Sequence, residues 1–334
     1  MKIGFFELEG WEEKIVRETF SGHEVRFSNM KITEQDLPPQ NDFDVLSVFV
    51  DSRITPAVLT HFPSVKLITT RSTGFDHVDV AACKAKGISV ASVPGYGDNT
   101  VAEFAFGLML NLSRKLYQAI DQIKEIESFS QKGLRGFDLK GKTLGVVGTG
   151  RIGKEVIKIA KGFGMEVIAF DPFPNAETAL ALGFTYFPLE GLLGKADIIT
   201  LHCPLTDITK HLINRKNIGM IKKGAYLINT ARGGIVETDA LVEALEKGIL
   251  AGAGLDVLEE EGETKDEMRF LSENTPHEKE LKTILQNHIL MNMPNVIITP
   301  HNAFNSQEAL ERILSTTLEN IAGFIAGTPK NIIP

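Results

Sequence analysis

Cysteine and net positive charge are both scarce in this sequence. Only two of the 334 residues are cysteines, Cys83 and Cys203, and their separation fits neither a metal-ligand spacing nor a disulfide framework. The formal net charge is −8, whereas nucleic-acid-binding proteins carry clusters of lysine and arginine. We therefore expect a protein of the reducing cytoplasm, with no metal site and no nucleic-acid partner.

Long hydrophobic runs are also missing. A membrane-spanning helix needs roughly 20 consecutive apolar residues, but the longest candidate, VAEFAFGLMLNL, is shorter and contains Glu103. The N-terminal segment MKIGFFELEGWEEK has neither the apolar region nor the cleavage site of a signal peptide. We expect no membrane span, no membrane partner and no secretory signal.

The composition that remains is that of a globular protein. Hydrophobic residues make up 43% of the chain and charged residues 23%. A chain of 334 residues is long enough for about two domains and can bury a sizeable core without disulfides.

Apolar segments of strand length alternate with helical patterns along most of the chain. Continuous runs of valine, isoleucine and leucine are typical of parallel strands that are covered on both faces. The segments between them, such as KEVIKIAKGFG and DALVEALEKG, have the spacing of amphipathic helices. The candidate strands are MKIGFF, DVLSVFV, VKLITTR, GISVASV, TLGVVG, MEVIAFD, ADIITLH, GAYLINT, AGAGLDV and NVIITP. This alternation predicts a doubly wound α/β architecture with parallel sheets.

Two breaks interrupt this alternation. Pro94 and Gly95 precede a capping-box pattern, Thr100-x-x-Glu103, which predicts the start of a long helix and a domain boundary. The charged segment 259–294 is irregular, and we interpret it as an insertion of short helices.

Two glycine patterns overlap in the stretch GFDLKGKTLGVVGTGRIG. Its first half matches a nucleotide-triphosphate loop through Gly136, Gly141, Lys142 and Thr143. Such a loop needs a strand before it and a helix after it, but here polar sequence precedes the match and a strand follows. We predict a turn that enters a strand; a triphosphate hydrolase that uses Lys142 is the alternative.

The second half, GTGRIG, has the context of a dinucleotide-binding turn. A strand precedes it, a helix follows, and the next strand ends at Asp171, about 20 residues after the last glycine. Gly148 permits the tight turn, Gly150 lets the backbone approach a pyrophosphate, and Gly153 lets the helix pack on the strand. Asp171 would bind the ribose hydroxyls and disfavour a 2′-phosphate. The sequence therefore predicts NAD as the cofactor.

Chemically active side chains follow three later strands, at the edge where open α/β sheets bind ligands. Arg232 can hold a carboxylate through two parallel hydrogen bonds. His301 can transfer a proton near neutral pH, and a carboxylate of the run Glu259–Glu261 can orient it. Singly, these residues read as a surface ion-pair partner, a strand cap and a solvated acidic run. Together, after a dinucleotide turn, they indicate a dehydrogenase.

These stretches resemble the D-isomer-specific 2-hydroxyacid dehydrogenase family over nearly the whole chain. Within the family, the chain is most similar to the branch that acts on D-lactate, on the basis of Tyr96, the extended segment between Glu261 and His301, and the HNAF ending. The similar stretches are RSTGFDHVDVAACKAKGISV, VPGYGDNTVAEFAFGLML, GKTLGVVGTGRIG, LHCPLT, LINTARGG, GLDVLEEE and TPHNAF.

The resemblance implies a reversible reduction of a 2-keto acid, pyruvate in that branch, by NADH to the D-2-hydroxy acid. It implies that Arg232 binds the substrate, that His301 donates the proton, and that Glu261 keeps His301 protonated. The implied substrate-binding residues are Thr73, Gly74, Tyr96, Arg232 and Phe304. The implied cofactor-binding residues are Gly148, Gly150, Arg151, Ile152, Gly153, Asp171, His202, Cys203, Pro204, Thr209, Thr230, Ala231 and Asp256.

The resemblance also implies the domain organisation. A split substrate domain, residues 1–98 and 303–334, is expected around an NAD-binding Rossmann-like domain, residues 99–302, with a cleft between them. A homodimer formed through the NAD-binding domain is implied as well.

Several alternatives stay open. Many relatives have proline after the glutamate where this chain has Gly262, which leaves Glu260 as a rival to Glu261. Some D-lactate enzymes have a tryptophan before the glycine turn, whereas the only tryptophan here is Trp11. The substrate could instead belong to a hydroxyisocaproate, glyoxylate or phosphoglycerate type of dehydrogenase. A non-catalytic NAD-sensing protein of the corepressor kind is the alternative from a different class.

Overall fold

The computed structural model describes residues 1–261 and 278–334. The chain divides into two compact units, Met1–Tyr96 with Ser306–Pro334, and Gly97–Asn305. Every strand pairing in the described residues is parallel, apart from isolated single-residue bridges. The predicted doubly wound, parallel α/β fold class is therefore confirmed.

The regular elements alternate along the chain. The strands of the described part are β1 (Lys2–Phe5), β2 (Glu24–Phe27), β3 (Val45–Val48), β4 (Leu67–Thr70), β5 (Ser89–Ala91), β6 (Thr143–Val147), β7 (Glu166–Phe170), β8 (Thr185–Tyr186), β9 (Ile198–Leu201), β10 (Ala225–Asn229), β11 (Leu250–Leu255) and β12 (Val296–Ile298). Its α-helices are α1 (Gly10–Thr19), α2 (Pro56–His61), α3 (Val80–Ala85), α4 (Asp98–Arg114), α5 (Leu116–Ile126), α6 (Arg151–Gly162), α7 (Ala176–Leu182), α8 (Leu189–Lys195), α9 (Thr238–Glu246), α10 (Glu278–Asn292) and α11 (Gln307–Ile325).

The first unit is built on a sheet of strand order β2-β1-β3-β4-β5. Every residue of β3 and β4 is buried, as expected for parallel strands covered on both faces. One face packs around Leu46 and Ile68, and the other packs around Phe5 and Leu67 together with Leu314 of α11. The C-terminal helix thus completes the core of the unit that begins the chain.

The second unit is built on a sheet of order β12-β11-β10-β9-β6-β7-β8. The strand order reverses between β6 and β9, so the loops after these two strands diverge to opposite faces of the sheet. Open α/β sheets bind ligands at such a switch point, beyond the carboxyl ends of the strands. The glycine turn follows β6 directly, and His202 and Cys203 follow β9.

The predicted capping box at the start of α4 is wrong. The helix begins at Asp98, with Gly97 at its N-cap position, and Thr100 is a buried residue of its first turn. Asp98 is favourable at a helix N-terminus because of the helix dipole, and it also pairs with Arg151, with 2.8 Å between Oδ2 and Nε.

The charged segment 259–294 was predicted to form short helices. Where the structure describes it, residues 278–292 form one continuous helix, α10. The side-chain amide of Asn287 in this helix donates to the Glu259 carbonyl at 2.9 Å. Residues 262–277 of the predicted insertion lie outside the described residues.

Strands β2 and β8 were not predicted. Both are edge strands of their sheets and are only partly buried, with sequences EVRF and TY. A strand covered on one side only needs no continuous apolar run, which was the signal used to find the others. Among the helices of residues 1–261 and 278–334, none is long and apolar enough to cross a membrane.

Candidate active site

The glycine turn after β6 has the geometry of a dinucleotide-binding loop. Gly148 has a φ of +93°, a left-handed conformation that favours glycine, and a Cβ there would lie 2.8 Å from the Cys203 nitrogen. A Cβ on Gly153 would lie 2.0 Å from the Gly148 carbonyl oxygen. At Gly150, by contrast, a Cβ would meet nothing within 4 Å. The turn is therefore closed behind Gly148 and Gly153 but open at Gly150.

Helix α6 begins immediately after Gly150. The first backbone N–H groups of a helix have no partner within it and carry a partial positive charge, so they form an anion site. Arg151 and Ile152 occupy its first turn; the Arg151 side chain is exposed and Ile152 packs partly against the core of the unit. This strand–turn–helix unit meets the requirements for a pyrophosphate.

The overlapping triphosphate-loop pattern does not have this geometry. Lys142 donates its N–H to the Leu139 carbonyl in a turn, and the next residue, Thr143, begins β6. With a strand in place of a helix after the turn, GFDLKGKT offers no helix N-terminus to a phosphate.

Asp171 is anchored to the glycine turn at the end of β7. Its Oδ2 accepts from the N–H and the hydroxyl of Thr149, at 2.8 and 2.9 Å, and Oδ1 accepts from the Phe173 N–H at 2.9 Å. Since the Thr149 hydroxyl donates to Asp171, the Tyr186 hydroxyl 2.8 Å away donates to Thr149. A carboxylate has about four acceptor positions, so Asp171 keeps capacity for a ribose hydroxyl.

The segment after β9 contains a neutral histidine. Burial lowers the pKa of His202 to about 3, so its imidazole is uncharged at neutral pH. Its Nε2 lies 2.8 Å from the Thr200 hydroxyl, and its buried Nδ1 has no hydrogen-bond partner among the described residues. Burial also raises the pKa of the neighbouring Cys203 thiol to about 11. Both groups are thus uncharged next to the glycine turn.

The remaining residues predicted after β9 lie in a tight loop. The hydroxyl of Thr209 donates to the Pro204 carbonyl at 2.6 Å. Pro204 is exposed and Thr209 is partly buried.

The loop that carries Arg232 is held by Asn229, a buried residue at the end of β10. The Asn229 amide donates to the Arg232 carbonyl at 2.9 Å and accepts from the Ala231 N–H at 3.0 Å. The Arg232 guanidinium donates to the Ala231 carbonyl at 2.8 Å. Thr230, in the same loop, has a buried hydroxyl without a hydrogen-bond partner in the described structure. Sequence analysis did not identify Asn229 as a residue of the site.

Gly233 brings this loop against the one that follows β11. A Cβ on Gly233 would lie 2.0 Å from the Leu258 carbonyl carbon and 2.3 Å from the Glu259 nitrogen, so only glycine fits. The loop of Arg232 and the loop of Glu261 are therefore in direct backbone contact.

The three glutamates of the EEE run have different surroundings. The Glu261 Oε1 lies 2.6 Å from His301 Nδ1, and both side chains are partly exposed. The Glu259 carboxylate lies 2.7 Å from His211 Nε2 and accepts from the Thr238 hydroxyl at 2.8 Å. Glu260 is exposed. Of the two glutamates considered as partners of His301, the structure brings Glu261 to it.

Asp256 organises the loop that carries His301. Its carboxylate accepts from the N–H groups of Asn302 and Ala303, both at 2.8 Å, and from the Thr299 hydroxyl. Its carbonyl accepts from the His301 N–H at 2.8 Å. Burial raises the pKa of the Asp256 carboxyl, and these hydrogen bonds oppose that effect. Asp256 thus contacts the His301 loop from the end of β11, and Phe304 follows in the same loop.

The Glu261–His301 pair borders a cavity of about 790 Å³ within the second unit. Apolar side chains of α4, α10 and β12 also line it, including Phe104, Leu108, Met291 and Val296. No group of three histidine, cysteine, aspartate or glutamate side chains in the described ranges is arranged to hold a metal ion.

Three predicted substrate-binding residues belong to the first unit. The Thr73 hydroxyl donates to the Val93 carbonyl at 2.8 Å, and the Gly74 carbonyl accepts from the Ser72 hydroxyl at 2.6 Å. The Tyr96 carbonyl accepts from the Arg312 guanidinium at 2.6 Å. Each lies in a loop at the carboxyl end of that unit's sheet.

A parallel sheet with a glycine turn at its switch point, an acid after the second strand and a carboxylate–histidine pair define the class of dinucleotide-dependent dehydrogenases. The family profile described as "D-isomer specific 2-hydroxyacid dehydrogenase, NAD binding domain" matches residues 106–303. The chain belongs to the D-isomer-specific 2-hydroxyacid dehydrogenase family, and is an oxidoreductase that uses NAD with a small 2-hydroxy or 2-keto acid.

Known proteins of this family are similar to the chain over almost its full length. The 2-hydroxyacid dehydrogenase homolog 1 of Schizosaccharomyces pombe is 39% identical, over 97% of this chain and 96% of the relative. The D-lactate dehydrogenase of Escherichia coli is 35% identical, over 98% of each. The structure of D-lactate dehydrogenase from Aquifex aeolicus with NAD and lactic acid matches with a TM-score of 0.85 and 35% identity, over 98% of this chain and 96% of that one.

Proposed function

We propose that this enzyme catalyses the reversible, NAD-dependent reduction of pyruvate to D-lactate. The observation that carries this proposal is the Glu261–His301 pair, whose loop is in backbone contact with the loop of Arg232. The similarity to the D-lactate dehydrogenases of Escherichia coli and Aquifex aeolicus supports pyruvate as the substrate.

Arg232 is the proposed substrate-binding cation. A guanidinium makes two parallel hydrogen bonds to a carboxylate, and a further N–H can polarise the neighbouring keto oxygen. The Asn229 amide binds the Arg232 carbonyl, and the next residue, Gly233, is closely packed. The loop is therefore already ordered before the substrate binds, which lowers the entropy cost of binding.

His301 is the proposed proton donor in reduction and acceptor in oxidation. The bound NADH supplies the hydride. His301 Nδ1 faces Glu261, which leaves Nε2 to give its proton to the keto oxygen. The negative charge of Glu261 stabilises the protonated imidazole and fixes the ring orientation.

The glycine turn and α6 are the proposed pyrophosphate site. The open face at Gly150, the closed turn at Gly148 and Gly153, and the N-terminus of α6 with Arg151 and Ile152 fit a dinucleotide. Asp171 would bind the adenosine ribose. His202, Cys203, Pro204 and Thr209 would line the adenosine side, and Thr230, Ala231 and Asp256 would lie near the nicotinamide.

The backbone N–H groups of Thr73 and Gly74 are proposed to bind the substrate carboxylate, with Tyr96 and Phe304 nearby. These assignments rest on the family resemblance.

A substrate panel tests the proposal directly. Purified enzyme is assayed with pyruvate, 2-ketoisocaproate, glyoxylate and 3-phosphohydroxypyruvate, each with NADH and with NADPH. We expect the highest kcat/KM for pyruvate with NADH, and chiral chromatography is expected to identify D-lactate as the product. A higher kcat/KM for another keto acid would reassign the substrate within the family. NADH binding without turnover of any keto acid would favour an NAD-sensing protein.

A homodimer formed through the second unit is also proposed. Helix α5 buries none of its residues and exposes Leu116, Ile120, Ile123 and Ile126, which helical spacing places in one stripe. An exposed stripe of this kind is typical of an interface. Ile120→Asp is expected to give a monomer in analytical ultracentrifugation, while Lys124→Asp, on the same helix, is expected to leave a dimer. A monomeric wild-type enzyme would reject the proposal.

The cytoplasm is the proposed compartment. The two thiols, Cys83 and Cys203, are unpaired, as expected where the surroundings are reducing. Cell fractionation with detection of the chain outside the cytosolic fraction would contradict this.

A further inference from the structure

A chain of hydrogen bonds runs through the loop that follows β4 in the first unit. His77 Nε2 lies 2.9 Å from the Thr70 hydroxyl oxygen, which lies 2.7 Å from the Ser72 hydroxyl oxygen. The Ser72 hydroxyl in turn donates to the Gly74 carbonyl at 2.6 Å. Thr70 and Ser72 are buried, and His77 is partly buried.

The direction of this chain follows from the number of hydrogens on each group. Ser72 gives its one hydroxyl hydrogen to Gly74, so towards Thr70 it can only accept. Thr70 then gives its one hydrogen to Ser72 and must accept from His77. His77 therefore carries a hydrogen on Nε2, and each donor polarises the next in the chain.

The chain ends on the peptide group that follows the Thr73–Gly74 backbone. On the other side, the Thr73 hydroxyl is tied to the Val93 carbonyl of the next loop. The His77 backbone is tied as well, because its carbonyl accepts from the Ile54 N–H at 2.8 Å. The Gly74 carbonyl is thus held by a chain of side-chain hydrogen bonds that includes His77.

We propose that His77 is a positioning residue for substrate binding, acting through Thr70 and Ser72 on the Thr73–Gly74 backbone. This inference rests on the proposed function, in which the N–H groups of Thr73 and Gly74 receive the carboxylate of the 2-keto acid. Loss of these hydrogen bonds frees the Gly74 carbonyl and lets the Thr73–Gly74 backbone move, so its N–H groups bind the substrate carboxylate more weakly. Hydride and proton transfer use other groups and are not changed.

Two neighbouring threonines of β4 provide a matched test. Thr70 and Thr69 are both fully buried, but the Thr69 hydroxyl has no hydrogen-bond partner in the described structure. Thr70→Val removes a link of the chain with almost no change of shape, while Thr69→Val removes a hydroxyl that takes no part in it. Thr70→Ser keeps the hydroxyl.

The readout is the split between KM and kcat. Thr70→Val is expected to raise KM for pyruvate about five- to tenfold, the effect of losing one buried hydrogen bond, with kcat and KM for NADH near wild type. Thr69→Val and Thr70→Ser are expected to keep the wild-type KM for pyruvate. Thermal unfolding of each variant shows that it is folded. Equal KM values for pyruvate in Thr70→Val and Thr69→Val would overturn the proposal.

His77 itself is tested by two substitutions. His77→Gln offers an amide donor near the position of Nε2 and is expected to restore most of the affinity for pyruvate, while His77→Leu is expected to raise KM as Thr70→Val does. The double variant Thr70→Val/His77→Leu should then be no worse than either single variant, because both break one chain. Additive effects would show that the two residues act separately and would overturn the chain.

A spectroscopic measurement separates this inference from the proposed function. In the ¹⁵N NMR spectrum of labelled wild-type enzyme, neutral His77 is expected to carry its hydrogen on Nε2. The opposite tautomer would overturn the proposed hydrogen-bond chain, whatever the kinetics, and would leave the proposed function untouched. If the tautomer is as expected but the wild-type enzyme reduces no 2-keto acid, the proposed function fails, and the role of His77 in substrate binding fails with it.

Discussion

Glu261 and His301 are 40 residues apart in the sequence, and their side chains meet with 2.6 Å between Oε1 and Nδ1. The Asp256 carbonyl accepts a hydrogen bond from the His301 N–H. The Arg232 loop contacts the Glu261 loop at Gly233, where there is no room for a Cβ. The ends of three neighbouring strands, β10, β11 and β12, therefore bring a cation, a carboxylate and an imidazole into adjoining loops.

Glu261→Gln keeps the shape of the side chain and removes its charge. We expect the reduction rate at neutral pH to fall about 100-fold, because the proton-donating form of His301 loses its stabilising partner. Glu260→Gln, at an exposed position, is the matched control and should leave the rate near the wild-type value. A loss of rate in Glu260→Gln but not in Glu261→Gln would show that Glu260, not Glu261, serves His301.

Arg232→Lys keeps the positive charge and loses the planar pair of donors. We expect kcat/KM for pyruvate to fall by about 100-fold, with effects on both constants, since the proposed contact with the substrate serves both the ground state and the transition state. Arg215→Lys changes an exposed arginine that pairs with Asp239 and should leave the kinetics unchanged. Near-normal kinetics of Arg232→Lys would remove Arg232 from the mechanism.

Asp171→Ala removes the carboxylate proposed to repel a 2′-phosphate. The preference for NADH over NADPH should fall by about tenfold or more, measured as the ratio of kcat/KM values. Thr149→Val loosens the anchoring of Asp171 but retains its charge, and it should therefore keep most of the preference. Unchanged cofactor selectivity in Asp171→Ala would rule out a charge effect at this position.

Gly150→Ala tests whether the open face of the glycine turn is used. A Cβ at Gly150 meets no protein atom within 4 Å, so the variant is expected to fold with an unchanged melting temperature. KM for NADH should nevertheless rise about tenfold or more, because the methyl group lies where the pyrophosphate is proposed to bind. Gly162→Ala, equally open at the far end of α6, is the control. Wild-type affinity for NADH in Gly150→Ala would place the cofactor elsewhere.

His202→Asn is expected to make the protein less sensitive to acid. The folded protein binds a proton at His202 with a pKa of about 3, while the unfolded chain binds it near 6.5, so stability falls as pH drops below 6.5. Between pH 6.5 and pH 5 this single group removes about 2 kcal/mol of unfolding free energy. Urea unfolding at both pH values should show a smaller loss in His202→Asn, and the full loss in His23→Asn. Equal losses in both variants would mean that His202 is protonated in the folded state.

Local sequence was enough to predict the glycine turn and the class of fold. The run TLGVVGTGRIG predicts a strand, a turn and a helix. Its glycines mark the turn because the left-handed conformation at Gly148 favours glycine and the close packing at Gly153 leaves no room for a Cβ. Continuous apolar runs are typical of parallel strands that are buried on both faces of a sheet, and this pattern predicted the parallel sheets. The edge strands β2 and β8 are only partly buried and have no continuous apolar run, so they were not predicted.

The identity of the partners in the site was decided by the tertiary structure. Nothing in the letters EEE distinguishes Glu261 from Glu260. The difference arises in the fold, where the loop after β11 turns the Glu261 carboxylate towards His301, while Glu260 is exposed. The same holds for Asn229, which clamps the Arg232 loop, and for His77, which reaches Gly74 through two hydroxyls. Sequence spacing encodes the periodicity and backbone conformation of one segment, whereas a hydrogen bond between segments depends on how the strands that carry them are ordered in the sheet.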